Sequence, residues 1–165
     1  MSDKADHIDK ILHQWQSNHS LMETSLPLAI IGRSTRLNKS LENARTPIYK
    51  ELKVTMGEFD VLATLYRNGA PFQLTPSDLI RQTLLTSGAM TNRLDKLEAK
   101  GLIHRIHSEQ DRRSIVVGLT AKGIELIDEG IKKYFTKVDE LCSPLTNDEQ
   151  TQLNSLLKKW ISHLG

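Results

Sequence analysis

The sequence predicts a mainly α-helical protein with one small β-hairpin, and three observations carry that reading. Apolar residues recur at three- and four-residue spacing along most of the 165-residue chain. Helix start signals, a threonine followed three places on by an acidic residue, recur at Thr55, Thr75 and Thr146. β-branched runs flanking a polar turn occur in one region, Ile103 to His107 and Ser114 to Leu119.

The elements follow in chain order. Ile8, Ile11, Leu12, Trp15 and Met22 form the apolar face of a first helix; Leu26, Ile30, Leu37 and Leu41 form that of a second, after Pro27. Pro47 is expected to break this second pattern, because proline has no amide hydrogen to donate. Thr55-Met56-Gly57-Glu58 reads as a capping box ahead of Phe59, Leu62 and Tyr66, and Asn68-Gly69 closes that helix. Thr75 caps a short helix that places Pro76 at its first position and carries Leu79 and Ile80. From Thr86 onward Met90, Leu94 and Leu97 share one face of a further helix, which Gly101 ends as a left-handed cap. The hairpin follows, with a charged tip from Ser108 to Arg113. Thr120 opens a long helix with Ile124, Ile127, Ile131, Tyr134 or Phe135, Val138 and Leu141, about six turns in all. Thr146 opens the last, with Leu153, Leu156, Leu157, Trp160 and Ile161.

Composition excludes several classes of function. With 38% hydrophobic and 25% charged residues the chain matches an ordered globular protein. No apolar run is long enough to cross a bilayer, and charged side chains precede the first apolar run, unlike a secretory signal. A cytoplasmic, nucleoid-associated location without membrane contact is expected. The single cysteine, Cys142, precludes an intramolecular disulfide and a cysteine-rich zinc site; a buried structural thiol is expected there. His104 and His107 fall on opposite faces of a strand, so no metal site is expected. No nucleophile–base pair, phosphate loop or paired-carboxylate motif occurs, so neither catalysis nor a cofactor is expected. The net charge of +2 permits nucleic-acid binding without requiring it.

The helix beginning near Thr86 carries the functional signal. Ala89, Asn92 and Lys96 lie opposite its apolar stripe, and small or amide residues there let a helix enter a major groove. Asparagine can bond adenine, and serine or threonine several base edges. Thr86, Ser87 and Gly88 can turn free amide hydrogens to a phosphate. Taken alone, the segment reads equally well as an ordinary surface helix. The capped helix before it and the paired Arg112 and Arg113 after it favour DNA. Those arginines suit a minor groove or phosphates, with Asp111 holding one guanidinium; a solvated charged turn is the other reading of that tip.

The run Leu97-Glu98-Ala99-Lys100-Gly101-Leu102-Ile103, then Asp111-Arg112-Arg113, then Leu119-Thr120-Ala121-Lys122-Gly123, resembles the MarR family of bacterial regulators. The resemblance extends from the Phe59 helix to the last one. It implies a winged helix-turn-helix lobe at 55–119, with N-terminal helices (1–54), a candidate place for an effector pocket, and C-terminal helices (120–165) forming an intertwined dimerisation domain. It implies a homodimeric repressor on a pseudo-palindromic site in double-stranded DNA. The expected DNA-contacting set is Ser77, Thr86, Ser87, Ala89, Thr91, Asn92, Lys96, Asp111, Arg112 and Arg113. Independently, the apolar stripes of the terminal helices exceed what the small lobe can cover, so a partner surface is expected. A winged helix used only for protein interaction is the alternative, but it would expose apolar residues where this chain has Thr86, Ser87 and Asn92.

Trp15, Asp60, Arg93 and Arg105 are similar to the set of a urate-responsive branch of that family. The similarity implies that Trp15 and Arg93 contact a small aromatic anion, urate or a related purine or phenolic compound. It further implies an Asp60–Arg105 charge pair that the ligand disturbs. On the residues alone, Arg93 lies about 60° from the centre of the apolar stripe and tucks toward the protein, where its flat cation suits a delocalised anion. Arg105 alternates with Ile106 and is expected off the hairpin's core side. Asp60 shares a face with Thr64 and Arg67, directed to solvent or to another packing partner such as the first helix. A dimer-core role for Trp15 and a phosphate contact for Arg93 are the other readings.

Overall fold

The computed structural model describes residues 4–18, 26–83, 86–107 and 115–164. Its elements are α1 (His7–Asn18), α2 (Leu26–Glu51), α3 (Met56–Arg67), β1 (Gln73–Leu74), α4 (Pro76–Gln82), α5 (Ser87–Ala99), β2 (Ile103–His107), β3 (Ile115–Leu119), α6 (Ala121–Cys142) and α7 (Asn147–Leu164). They fall into two compact units, Met1–Ala44 and Arg45–Gly165. None of the described helices is long and apolar enough to cross a membrane.

In the first unit Asp6 caps α1, its carboxylate accepting the amides of Ile8 at 2.7 Å and Asp9 at 2.9 Å. Arg33 of α2 reaches both Asp6 and Asp9, at 2.9 and 2.6 Å, beside a small buried cluster of Ile8, Leu12 and Ala29. Met22, expected on the first helix, lies outside the described residues.

Pro47 does not end the second helix; α2 runs through it to Glu51. Proline removes one backbone donor, but the turn after it is anchored by Ile48, Tyr49 and Leu52, all buried. Packing of those three side chains outweighs the missing bond. Lys53, with φ of 55°, then turns the chain, and the Val54 amide reaches back to the Tyr49 carbonyl at 2.9 Å.

The second unit encloses one core, in which Val61, Leu62, Leu65, Leu79, Leu97, Val117 and Ile127 are wholly buried. The Thr55–Glu58 capping box is complete: the threonine hydroxyl accepts the Glu58 amide at 3.2 Å, and the carboxylate accepts the Thr55 amide at 2.6 Å. Gly69, with φ of 77°, follows the Asn68 cap of α3. Thr75, Thr86 and Thr120 likewise cap α4, α5 and α6.

The sheet is larger than the hairpin expected. Its order is β1-β3-β2, all antiparallel, with Gln73 opposite Gly118 and Leu74 opposite Val117. Two residues are too few to show alternation, so β1 leaves no periodic signal. In β2 the buried Ile103 sets the inner face, and Arg105, two residues on and opposite buried Val117, shares it. Arg105 is therefore on the core side, contrary to expectation, and the exposed Ile106 is on the outer face. Cys142, at the end of α6, is half-buried rather than enclosed. In α7 no residue is buried.

Candidate nucleic-acid interface

Helix α5 separates its faces sharply. Met90, Leu94 and Leu97 are buried, whereas Thr86, Ser87, Gly88, Thr91, Asn92, Asp95 and Lys96 are exposed and Ala89 is half-buried. The Thr86 hydroxyl accepts the Ala89 amide at 3.4 Å, which caps the N-terminal end of the helix. Thr91 donates its hydroxyl to the Ser87 carbonyl at 3.4 Å, leaving its oxygen lone pairs outward. Ser77, at the start of α4, is exposed as well. Asp111, Arg112 and Arg113 lie outside the described residues.

Polar contacts fix both ends of α5. At its C-terminal end the Lys100 ammonium donates to Glu58 at 2.9 Å and to the Lys53 carbonyl at 3.0 Å, and Lys122 donates to the Lys100 carbonyl at 2.9 Å. Glu58 is 1% exposed. Burial by itself raises its carboxyl, but the bonds from Lys100 and the Thr55 amide outweigh that and hold it below its ordinary value. One buried acid thus joins the start of α3 to the end of α5.

Arg105 makes a second junction. Its guanidinium meets Glu98 at 2.5 Å and Asp95 at 2.6 Å, and its backbone amide donates to Glu98 at 3.2 Å. The bond to Asp95, with the charge of Glu98, raises the pKa of the guanidinium. The expected pair between Arg105 and Asp60 does not form. Strand parity turns Arg105 toward α5, where two carboxylates one turn apart present their acceptors.

Arg93 tucks against the protein, as its position on the stripe's flank implies. Its Nη1 donates to the Ala89 carbonyl at 3.0 Å, while its buried Nε has no acceptor. The guanidinium lies over Gly57 of α3, where any Cβ would overlap it. Asp60 is half-buried; burial raises its carboxyl, and the charges of Arg67 and Arg93 pull the other way. Thr64, on the same face, is completely buried, whereas Arg67, one turn further on, is exposed, so the face passes from the interior to solvent along the helix. Trp15 stands on α1 in the first unit, 46% exposed. No cluster of His, Cys, Asp or Glu suited to a metal occurs among the described residues.

The contacts of five positions in this geometry, Gly57, Glu58, Asp95, Glu98 and Lys100, escaped the sequence reading. The Asp95/Glu98 spacing of three residues was a visible signal, since it presents two carboxylates to one neighbour. The link from Glu58 to Lys100 and the seat at Gly57 join distant parts of the chain and leave no local trace.

Comparison with known proteins agrees with this geometry. The MarR family model matches residues 54–115. The regulator PecS of Dickeya dadantii is 31% identical over 157 residues, covering 95% of this chain and 94% of PecS. The chain belongs to the MarR family. Among solved structures, a mutant E. coli MarR complexed with operator DNA is 27% identical, with a TM-score of 0.71 over 83% of this chain and 97% of that one. Bordetella bronchiseptica BpsR, whose DNA binding is regulated by 6-hydroxynicotinic acid, shares the fold, with a TM-score of 0.69 at 21% identity over 85% of this chain and 94% of that one. This MarR-family chain is a DNA-binding transcription regulator with a winged helix-turn-helix, and its relatives are regulators rather than enzymes.

Proposed function

We propose that this MarR-family protein is a homodimeric repressor, acting in the cytoplasm at the nucleoid, whose two α5 helices read the halves of a pseudo-palindromic operator. The observation that carries the reading is the division of α5, with Met90, Leu94 and Leu97 buried and a polar face of Thr86, Ser87, Thr91, Asn92 and Lys96 exposed. Ser77 and Ala89 complete the proposed contact set, with Asp111, Arg112 and Arg113 as the proposed contacts to the flanking backbone. In this reading residues 55–119 form the DNA lobe, and 1–54 with 120–165 form the dimerisation elements. The apolar faces left open on α2 and α7 support such a partner copy, Leu37 and Leu156 among them.

A small aromatic anion, urate or a related purine or phenolic compound, is the proposed releasing ligand. Its support is Arg93, a planar cation with a buried Nε lacking any acceptor, on the helix that reads DNA. Asp60, close enough to act on it electrostatically, is its neighbour in the site. Arg105 is left out, because both arms of its guanidinium are held by Asp95 and Glu98.

Binding isotherms on duplex DNA at two salt concentrations test the first part. Affinity falls steeply with salt if phosphates are contacted, and a flat response defeats the model. Arg113→Ala weakens binding while the protein stays folded; unchanged affinity removes the wing. For the second part, urate is titrated into the DNA complex of wild type, Arg93→Ala and Trp15→Ala. Release by urate in the wild type with a weaker response in Arg93→Ala is expected, and equal release in both removes Arg93 from the site.

A further inference from the structure

A helix that reads DNA works beside a dense row of phosphates. Helix α5 nevertheless carries two carboxylates, Asp95 and Glu98, and Asp95 is exposed three residues after Asn92, hence on a neighbouring part of the same surface. An uncompensated carboxylate there repels the DNA backbone, with a reach of roughly 8 Å at physiological salt. One cation answers both acids, leaving the trio at a net charge of −1 where the two carboxylates alone carry −2. Arg105 meets Asp95 at 2.6 Å and Glu98 at 2.5 Å, and among the described residues no other cation pairs with either.

The cation reaches this place through the fold. Ile103 is 2% exposed and fixes which face of β2 looks inward, so Arg105 follows it toward α5. The strand does not depend on Arg105 for its position. Leu102 and Ile103 are buried in the core, and β2 pairs with β3 along its whole length. What Arg105 supplies is the one positive charge that, among the described residues, is paired with the acids of the reading helix.

We propose that Arg105 is a positioning residue for DNA binding, a resident counter-ion that masks Asp95 and Glu98 so that α5 can approach phosphates. The proposal rests on α5 being the reading helix, as argued above. It separates Arg105 from the effector site and assigns it to the interface with DNA.

The test uses the full chain and a duplex of about 30 base pairs, room for two half-sites, selected from a random pool by the wild-type protein. Arg105→Gln is expected to weaken binding about tenfold at low salt, with the loss shrinking as salt rises, because the repulsion is screened. Circular dichroism and thermal unfolding stay near wild type. Adding Asp95→Asn and Glu98→Gln to Arg105→Gln brings affinity back to that of wild type or above it, since the trio's net charge goes from −1 in wild type to 0. Lys132→Gln, which removes an equal charge from the exposed side of α6, leaves affinity unchanged. If Arg105→Gln does not fold, Asp95→Asn/Glu98→Gln alone frees the Arg105 cation and tightens binding.

Unchanged affinity in Arg105→Gln overturns the proposal. So does a triple variant as weak as Arg105→Gln, a loss in Lys132→Gln as large as in Arg105→Gln, or a double variant that binds no more tightly than wild type. Asn92→Ala, measured alongside, keeps the two claims apart. If it binds like wild type, α5 is not the reader and the earlier reading fails. If it weakens binding while Arg105→Gln does not, only the counter-ion role is lost.

Discussion

Helices α3 and α7 carry apolar stripes of similar chemistry, and the structure treats them in opposite ways. Val61, Leu62 and Leu65 of α3 are 0% exposed, whereas Leu156, Ile161 and Leu164 of α7 are 65%, 68% and 74% exposed. The difference lies in the neighbours. Helix α3 is enclosed by the end of α2, by α5, by the sheet and by α6, which together supply a core. Helix α7 has no buried residue at all within one chain. Apolar burial is worth roughly 25 cal/mol per Å², so these exposed side chains of α7 are the surface that the proposed dimer would bury. The lobe has a core of its own; under the proposed dimer, the terminal helix would be covered by the partner copy.

The strongest test of that contrast puts charge into the open stripe. Leu156→Glu with Ile161→Glu is expected to abolish self-association, seen by sedimentation, while the lobe keeps its helicity. Operator affinity then falls by about two orders of magnitude, because two half-sites are no longer held by one linked pair of readers. A dimer that survives both charges would break the comparison. The next effect is on the closed side: Leu65→Ala is expected to cost about 2–5 kcal/mol in denaturant unfolding, from lost burial and the cavity left behind. A cost well under 1 kcal/mol would show the α3 core to be no better packed than α7.

The smallest expected effect sharpens the picture of the lobe's interior. Burial raises the Asp60 carboxyl above its ordinary value, so the folded state holds that proton more tightly than the unfolded chain does. Stability from this group therefore falls as pH climbs from about 3.9, the unfolded value, through the raised folded value, and the penalty is complete only above that folded value. Asp60→Asn removes the penalty. Its melting temperature should exceed wild type by a few degrees at pH 7, with the gain gone below about pH 4. An equal gain at both pH values would mean that packing, not charge, is responsible.

Much of the fold was legible in the chain because its signals are local. The threonine caps at 55, 75, 86, 120 and 146 each act within one helical turn, and the glycines at 69 and 101 adopt the left-handed conformation that their places after α3 and α5 require. The buried face of α5 follows from helical period alone. Pro47 was misread for the opposite reason. A proline's local cost is evident in sequence, whereas the burial of Ile48, Tyr49 and Leu52 that overrides it is not. Arg105 was misplaced by taking Ile106 as the inward residue; parity is set by which isoleucine finds a core, and Ile103 does.

The sequence by itself determined the kind of elements, their starts and ends, and the polar face that α5 offers, all consequences of capping chemistry and a period of 3.6 residues. Tertiary structure decided the partners. It seated Arg93 on Gly57, tied Glu58 to Lys100, added β1 to the sheet and gave Arg105 to Asp95 and Glu98 instead of Asp60. Each of these depends on which segments pack together, and long side chains take the acceptors that packing brings within reach, whatever their distance along the chain.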